Sequence, residues 1–265
     1  MKILFFGDVV GKIGRQAMVK ILPKYKKKYK PDLVIINGEN LAHGVGITGT
    51  TVEEMISAGV DFITTGNHFG AKAGWEQVMI DYKGQIIRPA NYPPGLTGSG
   101  YEFLKVEDRR IYIINLNGRV FLQENLEDPF IGFDRVEKLL KKAKNDIVLV
   151  DFHAEASSEK NAFGWYVDGR VTAVLGTHTH VPTADVKILS KGTAYVTDVG
   201  MVGARDSVIG VEKTGPLKMF QTQLSQRFEI PKSGMVQVNA VLVEVKNNSN
   251  QVKKIYRVDD EVEIK

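Results

Sequence analysis

An α/β protein with two packed sheets is predicted by three observations. Through the first ninety residues, short apolar runs alternate with helical patterns, the order of repeated β-α units that build a parallel sheet covered by helices. A loop-like stretch from Arg88 to Gly100, broken by Pro89, Pro93, Pro94, Gly95 and Gly98, follows. Beyond it the chain turns increasingly β-rich. A sheet from each half, packed face to face and flanked by helices, accounts for this order.

Buried strands are expected at Ile3 to Phe6, Leu33 to Ile36 and Phe62 to Thr65, with helices near Gly14 to Tyr29 and Thr50 to Ser57 between them. Thr51 followed three residues later by Glu54 offers a capping pattern for the second helix, and Gly59 can close it. Tyr101 to Val106 and Ile111 to Asn117 form a hairpin about Glu107-Asp108-Arg109-Arg110. A helix is then expected from Arg135 to Ala143, a strand from Ile147 to Phe152 and a helix from Ser157 to Trp165. Further strands are expected at Ala184 to Leu189, Ala194 to Val199, Val236 to Val245 and Val252 to Val258, interrupted by a helix near Pro216 to Gln221. No repeat or linker divides the chain, so residues 1–265 are expected to form one domain.

With 265 residues, 43% hydrophobic and 25% charged, the composition is that of an ordinary globular protein. No apolar run approaches the roughly 18 residues of a membrane span, and Met1-Lys2-Ile3 leads straight into a strand pattern, which predicts a cytoplasmic protein with no membrane partner. Cysteine is absent, which excludes disulfides, thiolate zinc sites and cysteine nucleophiles. The charge of +4 owes much to Lys24 to Lys30, which reads as a solvated helix end complementing the helix dipole and not as a nucleic-acid surface.

Function is concentrated where apolar runs stop. Four of the five histidines follow such runs: Ile63-Thr64-Thr65-Gly66-Asn67-His68, Val148-Leu149-Val150-Asp151-Phe152-His153 and Val174-Leu175-Gly176-Thr177-His178-Thr179-His180. Ile3-Leu4-Phe5-Phe6-Gly7-Asp8 and Ile35-Ile36-Asn37-Gly38-Glu39-Asn40 add carboxylates and amides. Open α/β sheets gather their ligands at the carboxyl ends of strands, and a His/Asp/Glu/Asn cluster suits a hard or borderline metal.

Each group has an ordinary structural reading beside the functional one. Asp8 could bind metal or cap a helix; Glu39 could bridge two metals through its two oxygens or pair with a nearby cation. Asn67 suits a metal, leaving His68 free for proton transfer. His178 and His180, two apart in a segment expected to be extended, would face one side and feed one metal or two adjacent ones. His153 follows the same pattern as a single ligand, with a core histidine as the ordinary reading. His43 is a candidate to face substrate or to sit in an exposed loop, Arg119 could hold a phosphate or pair with Glu124 or Asp128, and Arg88 to Asn91 could line a pocket or turn the chain.

Together these phrases resemble the calcineurin-like metallophosphoesterases, whose ordered blocks are Gly-Asp, Gly-Asn-His, a lone His and Gly-x-His. The match runs from Gly7 to His180. Asp8-Val9-Val10 lacks the histidine expected two residues after the aspartate, and Gly38-Glu39-Asn40 puts glutamate where aspartate is usual. Both departures are similar to the YmdB-type branch of bacterial phosphodiesterases, as are Asp151-Phe152-His153-Ala154-Glu155-Ala156 and Gly176-Thr177-His178-Thr179-His180-Val181. The resemblance implies a four-layer αββα sandwich with two mixed sheets. It implies two metal ions, one held by Asp8, Glu39, Asn40 and His180 and the other by Glu39, Asn67, His153 and His178, with Glu39 bridging and His68 unligated. Iron or manganese is expected, and zinc is compatible with the same donors. Implied substrates are small phosphodiesters, 2',3'-cyclic nucleotides prominent among them, with His68 protonating the departing ribose oxygen.

Rival readings stay open. A dinucleotide-binding module is poorly matched, since Gly-x-Gly-x-x-Gly is absent and Gly11-Lys12-Ile13 lacks the hydroxyl residue of a P-loop. A regulatory protein acting through a partner while keeping the metal site, or a phosphomonoesterase or nuclease using it, fits the same residues. For assembly, a homo-oligomer is the default expectation.

Overall fold

The computed structural model describes residues 1–265, beginning with β1 (Lys2–Val9), α1 (Gly11–Tyr29), β2 (Leu33–Asn37), α2 (Gly49–Ser57), β3 (Phe62–Thr64) and α3 (Trp75–Asp81). A hairpin of β4 (Tyr101–Val106) and β5 (Arg109–Asn117) follows, then α4 (Pro129–Leu139), β6 (Ile147–His153), α5 (Ser157–Tyr166) and β7 (Ala173–Thr177). The remainder comprises β8 (Lys187–Ile188), β9 (Ala194–Val196), β10 (Met201–Ala204), α6 (Thr214–Thr222), β11 (Gly234–Val238), β12 (Ala240–Val245), β13 (Val252–Arg257) and β14 (Asp260–Ile264). No helix is long and apolar enough to cross a membrane.

Two mixed sheets result. The first has eight strands centred on β1, which pairs in parallel with β2 along one edge. Its other edge pairs antiparallel with β12 and then, at Asp8 and Val9, in parallel with β10. The second sheet has six strands in the order β4-β5-β6-β7-β9-β8, parallel from β5 through β9 and antiparallel at both margins.

Alternation along the strands sorts the apolar residues into three layers. Leu4, Phe6, Val34 and Ile36 pack under the helical residues Ile13, Ala17, Ile21, Val52 and Met55. Ile3, Phe5, Leu33, Ile35 and Phe62 face the other way and meet Ile113, Leu149 and Leu175 of the second sheet. Val148, Val150 and Phe152 turn outward from that sheet onto Phe133 and Phe163 of α4 and α5. The product is the expected helix-sheet-sheet-helix stack.

The layer between the sheets changes character along its length, and that change positions the site. In β2 the inward series runs Leu33, Ile35, Asn37; in β5 Ile111, Ile113, Asn115, Asn117; in β6 Ile147, Leu149, Asp151, His153; in β7 Ala173, Leu175, Thr177. All the polar members are buried. Such groups must find partners, so one end of the sandwich becomes a polar network. In β1 the register with β2 slips between Phe6 and Asp8, a bulge that sets Asp8 opposite Asn37.

Several elements differ from expectation. The threonine capping α2 is Thr48, not Thr51; Thr51 is the third helical residue, and its hydroxyl accepts from the Thr48 amide at 3.1 Å. Gly59 closes that helix at φ 101° as expected. Helix α4 begins at Pro129, six residues before the expected Arg135, because the Asp128 carboxylate caps the Phe130 amide at 2.8 Å and proline suits the first turn. The expected strand Ala184 to Leu189 shrinks to Lys187–Ile188, Ala194 to Val199 shortens to Ala194–Val196, and Val236 to Val245 divides at Asn239 into β11 and β12. Helix α3 and strands β10 and β14 were not expected from the pattern.

Candidate metal centre

All seven candidate ligands gather at the polar end of the inter-sheet layer. Asp8 ends β1, Glu39 and Asn40 follow β2, and Asn67 follows β3; His153 ends β6, while His178 and His180 follow β7. The first four belong to one sheet and the three histidines to the other.

Three donors converge on His153 Nε2: His178 Nδ1 at 3.0 Å, Asn67 Oδ1 at 3.1 Å and Glu39 Oε1 at 3.3 Å. A second group lies beside it, with His180 Nε2 at 3.2 Å from Asn40 Nδ2 and 3.7 Å from Asp8 Oδ1. Glu39 joins the two, since its Oε1 also accepts from Asn40 Nδ2 at 3.2 Å and its Oε2 accepts from the His68 amide at 2.9 Å.

The ring nitrogens away from the cluster are each engaged. Thr177 Oγ1 donates its only proton to Asp151 Oδ1 at 2.6 Å, so it accepts from His153 Nδ1 at 2.9 Å. His178 Nε2 lies 3.1 Å from the Glu155 carboxylate, and His180 Nδ1 donates to the Ile209 carbonyl at 2.8 Å. Each imidazole therefore turns its other nitrogen toward the cluster, the orientation that outer partners impose on metal-bound histidines. Asp151 is itself fixed by Asn37 Nδ2 at 2.9 Å and by the Thr64 hydroxyl.

The His-x-His segment is not extended. His178 and His180 have φ of 101° and 64°, left-handed conformations that cost a side-chain-bearing residue of order 1–3 kcal/mol each. As a result His178 turns to His153 and His180 to Asp8 and Asn40, instead of lying side by side. A buried ion pair holds the turn: Lys160 Nζ donates to the Thr177 carbonyl at 2.7 Å and to Asp198 Oδ2 at 2.6 Å, and that carboxylate also accepts from the Thr179 amide at 3.1 Å.

The donor set fits a metal on four grounds. Asp8 Oδ1 is buried without any hydrogen-bond partner, a costly state that a cation relieves. Gly66 keeps the centre open, since a Cβ there would lie 2.3 Å from both Glu39 Oε2 and His153 Nε2. Donor atoms of Glu39, His153 and His178 all lie within 4.8 Å of one another. Finally, imidazole, carboxylate and amide donors suit iron, manganese or zinc. Rotating the Asn40 amide by half a turn presents its oxygen in place of its nitrogen.

Electrostatics agree with a site built for positive charge. Burial pushes the Asp8 carboxyl up to about 6. Burial opposes charging of His153, but the Glu39 carboxylate outweighs it and lifts the imidazole to about 9. Burial and the charge of His153 bring His178 down to about 3, and His153 in turn holds Glu39 well below the usual carboxylate range against its burial.

His68 stands beside the cluster, its ring partly exposed and its backbone tied to Glu39. His43 lies in an exposed turn at φ 60°. Arg119 pairs with Asp128, while Arg88 is buried and spends its donors on the carbonyls of Thr97, Pro89 and Leu96 at 2.9–3.0 Å, and with Ala90 and Asn91 it also lines a pocket, so the segment does both. Sequence reasoning missed Asn37, Asp151 and Thr177 as supports, although polar residues inside buried strand runs were the available signal. Nothing local marked Lys160 and Asp198.

Residues 4–258 match the family model described as YmdB-like protein. The chain belongs to that family. This YmdB-like chain is 44% identical over 263 residues to the 2',3'-cyclic-nucleotide 2'-phosphodiesterase of Bacillus subtilis, covering 97% of the chain and 96% of that protein. A crystal structure of a novel phosphatase from Mycoplasma pneumoniae superposes with a TM-score of 0.92 at 38% identity, covering 100% of the chain and 94% of its counterpart. A hypothetical protein from Thermus thermophilus gives 0.91 at 39% identity, covering 98% and 99%. The YmdB-like chain has the metallophosphoesterase fold.

Proposed function

We propose that this metallophosphoesterase hydrolyses small phosphodiesters, 2',3'-cyclic nucleotides among them, at a centre of two metal ions. Asp8, Glu39, Asn40 and His180 would hold one ion, and Glu39, Asn67, His153 and His178 the other. The observation that carries the reading is the convergence of Glu39, Asn67 and His178 on His153 Nε2 beside the unpaired Asp8 Oδ1. Similarity to the Bacillus subtilis phosphodiesterase supports the choice of substrate.

When bound, the ions supply Lewis acidity toward the phosphoryl oxygens and a water of lowered pKa. The chain's own residues do the rest. Thr177, Glu155 and the Ile209 carbonyl hold the three imidazoles in orientation. His68 is partly exposed at the rim, free of side-chain hydrogen bonds, and in its protonated form would deliver a proton to the departing ribose oxygen. Glu39 fixes the His68 backbone and so sets the distance between acid and centre.

Metal analysis combined with a hydrolysis panel tests the proposal. The panel comprises 2',3'-cyclic AMP, 3',5'-cyclic AMP, a generic aryl phosphodiester and a phosphomonoester. Two bound metals with preference for the 2',3'-cyclic diester is the expected result. A preference for the monoester would assign the centre to a phosphatase, and a metal-free, inert protein would end the enzymatic reading.

A further inference from the structure

Beyond Asn67 the surface opens into a cleft of about 730 Å³, within the range of small-molecule pockets. Asn67 lines this cleft and is also a proposed metal ligand, so the cleft adjoins the centre and is within reach of the next group of a ligand whose phosphate lies there. The walls are aromatic. The Phe69 ring meets Trp75 and Tyr92 edge-on, each at a centroid distance of 5.0 Å. Phe69 is buried between them, while Trp75 and Tyr92 are partly exposed to the cleft. Aromatic side chains lining a cleft are the groups on which a planar heterocycle stacks.

One wall carries a further, unexplained group. Glu124 lines the cleft, and its Oε2 is buried with no hydrogen-bond partner. A buried carboxylate oxygen left unpaired is costly, and an N–H donor from a ligand removes that cost. The common bases differ in what they offer. Guanine alone presents two adjacent N–H donors on one edge, matching the two oxygens of a carboxylate. Uracil flanks its single N–H with carbonyl oxygens that repel a carboxylate, and adenine and cytosine set a ring acceptor beside their amino group.

We propose that this cleft is a nucleobase subsite with a preference for guanine, in which Tyr92 and Trp75 stack the base and Glu124 accepts from its N–H edge. The inference rests on the cyclic-nucleotide reading and adds base selectivity to it.

Nucleosides without phosphate test the subsite independently of the metal centre. The chain has two tryptophans, so Trp165→Phe, a change at an exposed position of α5, leaves Trp75 as the sole tryptophan reporter. Guanosine is expected to change Trp75 fluorescence and to bind about tenfold or more tightly than adenosine or uridine, since charge-assisted hydrogen bonds contribute about 1.5–3 kcal/mol. Glu124→Gln keeps the size of the side chain on a cleft wall, so the fold is retained. It is expected to weaken guanosine about tenfold while leaving uridine unchanged, and to lower the kcat/KM ratio of 2',3'-cyclic GMP to 2',3'-cyclic UMP in parallel. Equal affinities for the three nucleosides, or unchanged guanosine binding in Glu124→Gln, overturns the proposal. Guanosine binding without hydrolysis of any cyclic nucleotide would reject the proposed activity and keep the subsite; hydrolysis without base discrimination would do the reverse.

Discussion

Replacing Thr177 by valine removes one oxygen from a fully buried position and tests the tautomer argument directly. The hydroxyl donates to Asp151 Oδ1 at 2.6 Å and accepts from His153 Nδ1 at 2.9 Å and from Asn37 Nδ2 at 3.4 Å. Its loss deprives a buried carboxylate of a donor, about 1.5–3 kcal/mol, and strands the imidazole N–H, about 1–3 kcal/mol. Thr177→Val should therefore destabilise the metal-free protein by about 2.5–6 kcal/mol. With an unfolding entropy of about 2.1 cal/mol/K per residue, the melting temperature falls by about 4–11 °C. Metal affinity should drop about 10-fold to 100-fold, as for loss of other outer partners of metal ligands. Thr177→Ser keeps the hydroxyl and should bind metal nearly as the wild type does. The assays are thermal denaturation of the stripped proteins and competitive metal titration. Wild-type metal affinity in a destabilised Thr177→Val would refute the claim that this hydroxyl orients His153.

Three further outcomes are expected. Gly66→Ala drives a methyl to 2.3 Å from Glu39 Oε2 and His153 Nε2, so it should cost about 1–3 kcal/mol and lower metal stoichiometry, read by elemental analysis. His68→Ala should keep its metal while turnover of a cyclic nucleotide falls about 100-fold to 10,000-fold; full activity would remove His68 as the acid. Asp185 is held below the usual carboxylate range because, against its burial, it accepts hydrogen bonds from Thr183 and Thr197. A lowered folded pKa stabilises above the unfolded value of 3.8 and loses that contribution as pH falls through the folded pKa. Asp185→Asn should therefore unfold more easily than wild type at neutral pH, with the gap closing below pH 4 in denaturant titrations.

Strands buried on both faces were visible because their apolar runs are nearly unbroken, as in Ile147 to Val150. Elements with mixed faces were not. Strand β14 alternates charged and buried residues in Asp260–Ile264, and α3 buries only Val78 and Met79 over seven residues. The start of α4 was legible in Asp128-Pro129, a cap followed by a first-turn proline, but apolar spacing drew the expected start to Arg135. At the centre, residue types and order identified the participants, since strand ends converge wherever strands run parallel. The turn at His178 and His180 was hidden, because its support comes from Lys160 and Asp198, which no local pattern links to it.

The division of donors between the sheets has a consequence for how the protein matures. Asp8 and the His178 amide are 170 residues apart in sequence, and Asn40 and His180 are 140 apart. No contiguous fragment of the nascent chain can assemble these donors until β7 has docked. In the proposed metal-bound enzyme, cation capture would follow docking of the two sheets, and by mass action a bound ion would stabilise them by RT ln(1 + [L]/Kd), about 2.7 kcal/mol at one hundred times Kd. Chelation should loosen the seam between the sheets before either sheet unravels.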